Sequence, residues 1–573
     1  MTSRISSVKN NPVLSFFKFT LKKQTPLTLL VTAFTLLVCP GMLLRDANDD
    51  LIREYTINAW EFGTFSFVIL AASVALVCML LLLNFGFLFS KKAGDMYNAL
   101  PLTRNQMLLT RTFSSFIGGL FLMTASYVGL SMVNFLPTVK GVGMLTAINT
   151  YLFMLLSLMV LTVFCLLFVI CSGGYFDTII AFGAINVAPV IIVALLFGMA
   201  EESATGLAPD YNQLVYLTPI AFVFYKLLSL PTYIEKASNF IAPMEKTTVF
   251  TVIGLMVFGL LCVFVAVKLF KIRKSETAGS AYSFKFMPVV ISLLVSIVGG
   301  YVIAGVLTGF DLSFNVAFWL FFVVCAILCA IAIGAITNRG FKKVKSSIIS
   351  GVVAASLMSV MVIGSLYVAE YAEHKVPNAK NIETVYVSNV EYKDNFDLVV
   401  NFHKGILESL NSNEDYEQDE FPAVVNNFGN FNIQYVMKNG KTIERHYWYR
   451  SPDMKNMHSE ILALMQSDSF FEKYKDCIKS DEKIISVHSH NTKFGVAENK
   501  EEVLSAVLYP KEAEKLITLF KKEMQAADES IFSEEIYGVS VSGNDWCELY
   551  IPKSFTETIE FLETKFTEYK LQD

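Results

Sequence analysis

Ala71-Ala72-Ser73-Val74-Ala75-Leu76-Val77-Cys78-Met79-Leu80-Leu81-Leu82-Leu83-Asn84-Phe85-Gly86-Phe87-Leu88-Phe89-Ser90-Lys91-Lys92 sets the architecture of this chain. No residue between Phe62 and Ser90 is charged, and a pair of lysines closes the run. A helix crosses the hydrocarbon core of a bilayer with about 20 apolar residues, so this stretch reads as a membrane span ending at a basic surface. Outward from it, similar runs recur near residues 27–44, 63–89, 112–136, 145–171, 178–199, 248–270, 288–308, 314–336 and 348–369. The expected class is a polytopic α-helical membrane protein with nine spans. The first run is short and carries Pro40 and Gly41.

Composition agrees with that class. Of 573 residues, 54% are hydrophobic and 17% charged, with a mean hydropathy of +0.49. The averages hide a division. Leu27 to Tyr371 is dominated by apolar runs, whereas Ala372 to Asp573 has the Lys, Glu, Asp, Asn and Tyr mixture of a water-facing domain. The net charge of −5 sums two unlike parts and says little about partners; no nucleic-acid partner is expected. Met1 to Pro26 is basic and of mixed polarity, without the compact apolar run and small-residue cleavage site of a signal peptide. Seven of the nine cysteines lie in apolar runs, where a thiol acts as a small hydrophobe. Cys477 and Cys547 stand apart in the C-terminal part, and their spacing does not establish whether they pair.

Lysine and arginine orient the spans, because short cytoplasmic loops carry the excess. A cytoplasmic N-terminus places Lys91, Lys92, Arg104 and Arg111 inside, together with Lys271, Arg273, Lys274 and Lys285, and Arg339, Lys342, Lys343 and Lys345. The opposite side receives only Arg45, Arg53, Lys140, Lys226, Lys236 and Lys246 among the short loops, and collects Asp46, Asp49, Asp50, Glu54, Glu61, Glu201 and Glu202. Leu214–Leu230 is apolar but broken by Pro219 and carries Lys226, so a re-entrant or interfacial helix is expected there. An odd number of spans then sets residues 372–573 outside the cell. The expected division is a cytoplasmic amphipathic segment over 1–26, six spans over 27–274, three more over 275–371 and an extracellular α+β domain over 372–573.

The C-terminal part supports that expectation with local signals. Asn439-Gly440, flanked by partly alternating residues from Phe431 to Trp448, predicts a two-residue type I′ hairpin with Phe431 opposite Trp448 and Ile433 opposite His446. Strand-like runs precede Pro452, Pro510 and Pro552, and amphipathic helices follow them. Ala513, Leu516, Ile517, Phe520 and Met524 share one helical face; Ser554 and Glu557 suit a capping box ahead of Ile559, Leu562 and Phe566. The recurrence of strand, proline and helix reads as coincidence rather than duplication.

Catalytic signatures are missing. The chain has no G-x-x-x-x-G-K-[ST] phosphate loop, no H-E-x-x-H and no G-x-S-x-G. His488 and His490 would share a strand face but lack further ligands, and Asp46–Asp50 lacks the glycine and distal glutamate of a calcium loop. No metal and no cofactor bound by this chain is expected, nor enzymatic activity of its own. The spans hold almost no ionisable groups, against a proton-coupled transporter. Asn84, Asn134, Asn186 and Thr251 read first as interhelical contacts.

The basic surface after the quoted run is more structured than a turn requires. In Lys91-Lys92-Ala93-Gly94-Asp95-Met96-Tyr97-Asn98-Ala99-Leu100-Pro101-Leu102-Thr103-Arg104-Asn105-Gln106, residues Met96, Tyr97 and Leu100 are placed on one face of a short helix. Pro101 ends it, and Thr103 caps a new helix with Gln106 at the capping-box position. A rigid corner continuous with a span can carry a push.

Residues Gly94 to Arg104 resemble the D-x-Y-x-x-L-P-[LV]-[ST]-R signature of the permease subunits of ABC-2-type transporters of Gram-positive bacteria. Val13–Lys23 is similar to the interfacial helix before their first span, and Leu214–Leu230 to their outer re-entrant helices. The resemblance covers about residues 10–274; the three later spans and outer domain depart from the six-span pattern. It implies that Gly94, Asp95, Met96, Tyr97, Leu100, Pro101, Thr103 and Arg104 form a coupling helix that docks on a separate ATPase subunit, which would bind ATP and magnesium. A second cytoplasmic contact is expected at Gly173, Gly174, Tyr175 and Asp177. The expected partners are that ATPase, a second permease subunit and the lipid bilayer. The expected function is ATP-driven export or extraction of a lipid-like or peptide substrate at the plasma membrane. The alternative is a non-transporting sensor whose outer domain detects an envelope ligand or peptide antibiotic.

Overall fold

Apolar length translates directly into helices. A computed structural model describes residues 12–49, 55–136, 139–239, 246–308, 316–388, 390–393, 395–409, 431–447, 457–478, 485–489, 504–542 and 546–570. In chain order the first helices are α1 (Pro12–Asp49), α2 (Ala59–Asn84), α3 (Lys91–Asn98), α4 (Arg104–Asn134), α5 (Met144–Cys171) and α6 (Tyr175–Ser203). They are followed by α7 (Pro219–Asn239), α8 (Lys246–Ile272), α9 (Phe286–Thr308), α10 (Val316–Thr337) and α11 (Val344–Glu373). Among the described residues nine of these are long and apolar enough to cross a membrane, all but α3 and α7. The protein is therefore a multi-pass helical membrane protein.

The chain divides into two compact units, Met1–Leu196 with Tyr211–Val362, and Phe197–Asp210 with Ile363–Asp573. The division does not follow the boundary expected at Ala372. The second unit takes the end of α6, the loop after it and the last turns of α11.

In the first unit α5 is the most deeply buried span, packed on α2, α4, α7 and α8. The N-terminal stretch expected to precede the first span is instead continuous with it, since α1 runs unbroken through Pro26 and Pro40. A polar seam runs along it. Thr20, Gln24, Thr28, Thr32 and Thr35 recur on one buried face, and each threonine hydroxyl returns to a carbonyl one turn back. Gln24 donates to Ser114 O at 2.6 Å and accepts from Asn84, which also donates to Ser115, so α1, α2 and α4 are pinned together. Asn134 likewise bonds the amide and carbonyl of Val142 across the α4–α5 hairpin. At that end β1 (Tyr55–Thr56) pairs in parallel with β2 (Val139–Lys140). The Leu214–Leu230 stretch divides into a 3-10 turn, Tyr211–Leu217, and α7, whose apolar part Pro219–Pro231 is too short to span. Helices α9, α10 and α11 meet at small residues: Gly300 faces the backbone of Ala326, and Gly351 that of Ile327.

The second unit holds β3 (Ile382–Val387), β4 (Val390–Tyr392), α12 (Phe396–Ser409), β5 (Phe431–Met437), β6 (Thr442–Tyr447), α13 (His458–Met465) and α14 (Asp468–Ile478). After them come β7 (Ile485–Ser489), β8 (Leu504–Leu508), α15 (Pro510–Ala526), β9 (Ile536–Ser542), β10 (Trp546–Pro552) and α16 (Thr556–Lys570). Two four-stranded antiparallel sheets form, in the orders β4-β3-β5-β6 and β8-β7-β9-β10. These orders are the same once the strands of each half are counted from its start, and every hairpin is followed by a helix. Topology therefore shows a duplicated unit where the sequence pattern reads as coincidence. One apolar core, including Phe402, Phe431, Phe470, Phe520 and Phe566, serves both halves.

Two local readings change. The β5–β6 hairpin pairs Phe431 with Tyr447 and Ile433 with Arg445, one residue off the expected register. Only Gly440 has positive φ (+77°), so the loop has three residues, Lys438 to Gly440, rather than a type I′ pair. That shift turns Arg445 inward. The expected Ser554–Glu557 capping box is replaced by the Glu523 carboxylate of α15, which accepts from the amides of Glu557 and Thr558. A charge at a helix N-terminus suits the exposed amides there. The side chains of Asp46–Asp50, His488, His490 and Cys477 lie outside the described residues; Cys547 is buried in β10.

Candidate functional site: the basic corner after the second span

The end of α2 leads through a 3-10 turn, Gly86–Phe89, into α3 and then α4. The start of α4 follows its sequence signal. Thr103 Oγ1 accepts from the Gln106 amide at 3.2 Å, and Gln106 Oε1 accepts from the Thr103 amide at 2.9 Å. This reciprocal box fixes the angle between α3 and the span it enters.

Beneath α3 lies a side chain that sequence treats only as a topology charge. Arg111 is 5% exposed, and its guanidinium sits 4.3 Å from the Tyr97 ring centroid, 4.4 Å from Phe87 and 5.2 Å from Phe16. Each cation–π contact contributes about 0.5–2 kcal/mol, more where water is excluded. Helices α1, α3 and α4 and the 3-10 turn are thereby held around one charge.

A second guanidinium works through hydrogen bonds. Arg273, just past α8, donates to Val169 O at 3.2 Å, to Ile170 O, and to Leu88 O at 2.9 Å. These carbonyls lie at the end of α5 and in the 3-10 turn, where the helix dipole favours a cation. Burial pulls the Arg273 guanidinium down to about 10, still charged at neutral pH. Arg104 completes the chain of caps, donating to Lys271 O at 3.3 Å and Arg273 O at 3.2 Å at the end of α8. A cavity of about 40 Å³ lies between them, lined by Phe87, Met107, Phe270, Arg104, Arg273 and Lys274. It has room for water rather than a nucleotide.

The second predicted contact adjoins this clamp. Tyr175 packs edge-on against Phe89 at 4.7 Å. Gly173 donates to Ala281 O at 2.8 Å and accepts from the Gly279 amide at 3.2 Å, so the segment after α8 runs against it. A Cβ on Gly173 would strike the Ser280 carbonyl, which explains the glycine. Asp177 is 7% exposed, in the first turn of α6, while Gly174 is half-buried beside it.

The predicted residues thus separate by role. Tyr97 turns inward to Arg111, whereas Met96 is 60% exposed, so these two do not share a face as expected. Leu100 and Gly94 are half-buried; Lys91, Lys92, Asp95 and Pro101 are exposed, as are Thr103 and Arg104. Sequence reasoning missed Arg111, Arg273, Phe16 and Phe87 as members of the corner. The signal was residue type: arginine, rather than lysine, at the two buried positions. Among the described residues no group of three or more His, Cys, Asp or Glu could hold a metal.

Comparison with protein-family models, with curated proteins and with solved structures finds no match to this chain.

Proposed function

We propose that this chain is the permease subunit of an ATP-driven ABC-2-type transporter, powered by a separate ATPase that docks on the Lys91–Arg104 corner. One observation carries the reading. The corner is braced from within by Arg111, Arg104 and Arg273, yet presents Lys91, Lys92, Asp95 and Met96 to solvent. A surface loop needs no such bracing; a lever does. A push on α3 would reach α2 and α4 through the chain, and α5 and α8 through Arg273 and Arg104. The distribution of Lys and Arg supports a cytoplasmic corner and N-terminus, and so an outer α+β domain. Export or extraction of a lipid-like or peptide substrate suits apolar runs that carry almost no ionisable residue. A second permease subunit would complete the path.

The sensor reading keeps one supporting feature. The ends of α6 and α11 belong to the second unit, where Thr205 donates to Glu373 at 3.0 Å and Arg445 donates to Ala372 O at 2.6 Å. Ligand-induced movement there would pull on two spans. Flux of a labelled lipid in vesicles containing the chain and its ATPase separates the readings. ATP-dependent movement supports transport; ligand-dependent ATP turnover without flux supports sensing.

A further inference from the structure

The membrane unit has a second feature that the corner does not use. Helices α5, α6, α7 and α8 and the 3-10 turn before α7 enclose an open groove of about 880 Å³, within the roughly 300–1,000 Å³ of small-molecule sites. Its wall is mostly apolar and includes Phe164, Phe222, Phe250 and Phe258. Two polar groups in it lack what they need. Lys226 of α7 is half-buried, and no ion pair among the described residues includes it. Its ammonium lies 5.9 Å from the centroid of the adjacent Tyr225 ring, at the limit of a cation–π contact. Asn186 of α6 donates to Phe182 O at 2.8 Å, but its Oδ1 is buried and meets no donor. Such groups are costly in an apolar setting unless a partner arrives.

We infer that this groove is the binding site for an anionic phospholipid, with the phosphate on Lys226, acyl chain along the phenylalanines and a headgroup or glycerol hydroxyl directed to Asn186. Charge selects the occupant, since the described lining residues offer an ammonium and no carboxylate partner for it. The wall selects a lipid over an acidic peptide. A peptide would bring a row of amides into a phenylalanine-lined groove that offers them few partners. The inference names a substrate class for the transport reading and rests on it only for the word substrate; the site itself stands on the groove.

The test uses the full chain with its ATPase partner, reconstituted into phosphatidylcholine vesicles containing a minor share of phosphatidylglycerol, then re-purified for analysis of retained lipid. Wild type should retain phosphatidylglycerol over phosphatidylcholine by about tenfold relative to the vesicle, or about 1.4 kcal/mol. Lys226→Met should lose most of that preference, and Lys226→Arg should keep it. Lys345→Met, at an exposed position outside the groove, should leave it unchanged. Equal preference in wild type and Lys226→Met overturns the site, as does equal loss in Lys345→Met. Displacement of phosphatidylglycerol by a neutral lipid, or retention of an acidic amphipathic peptide in its place, also overturns it. ATP turnover is read in the same samples. Lys226-dependent lipid retention with turnover indifferent to lipid keeps the site and removes its role in transport. Lipid-responsive turnover that ignores Lys226 does the reverse.

Discussion

Arg273 in the membrane unit and Arg445 in the C-terminal unit are both nearly buried, at 6% and 5% exposure, and both bond backbone carbonyls. Their surroundings differ. Arg273 holds three carbonyls from two separate elements, and shares a cavity with Gly94 of α3, a helix that exposes Lys91, Lys92, Asp95 and Met96. Arg445 donates to Ala372 O and Glu444 O, leaves its Nε without a partner, and lies beside a closed aromatic group. There His403 bridges the Tyr435 and Tyr447 hydroxyls at 2.9 and 2.7 Å. The first arrangement stiffens a place whose surface is left open to solvent; the second stiffens a domain against itself. Rigidity alone is therefore no sign of docking. Rigidity beneath an exposed mixed surface is.

Breaking the two arginines should show the difference most strongly. Arg273→Met leaves three carbonyls unpaired and should cost about 3–5 kcal/mol, seen as a lowered melting temperature of the solubilised protein. Arg273→Lys should recover only part, because an ammonium cannot span carbonyls on two elements. Arg445→Met should cost about 2–3 kcal/mol and raise hydrogen exchange at Gly206–Leu207, whose backbone pairs with β6, while the corner stays protected.

pH separates the units further. Burial first, and the nearby Arg445 charge second, hold His403 neutral down to about 3, against 6.5 in the unfolded chain. The unfolded state therefore binds a proton that the folded state refuses. Stability is full above about pH 6.5 and falls as pH drops toward 3, by about 2 kcal/mol at pH 5. Hydrogen exchange of β5 should follow that slope, and His403→Gln should flatten it. A smaller effect is expected at the cap. Thr103→Ala should cost about 1 kcal/mol and weaken ATPase stimulation more than assembly.

Much of this was legible in sequence, for reasons that particular residues make plain. The nine long helices among the described residues follow from apolar length, and the Thr103–Gln106 box from a local pattern. What escaped was tertiary. Nothing around Arg273 tells that its partners are 104 and 185 residues away. Asn439-Gly440 gives a turn but not its length, and one residue decided whether Arg445 pointed in or out. The duplication in the second unit escaped because it is carried by strand order, which a period in the sequence does not reveal.

The claim that α3 is an ATPase-docking surface is tested most directly by placing a photo-crosslinking amino acid at Met96 or at Tyr97 in cells. These neighbours differ in direction, Met96 toward solvent and Tyr97 toward Arg111. A light-dependent adduct is expected from position 96 to a chain carrying a phosphate-binding loop, and little or none from position 97. Absence of that adduct at position 96, with the protein folded in the membrane, would contradict it.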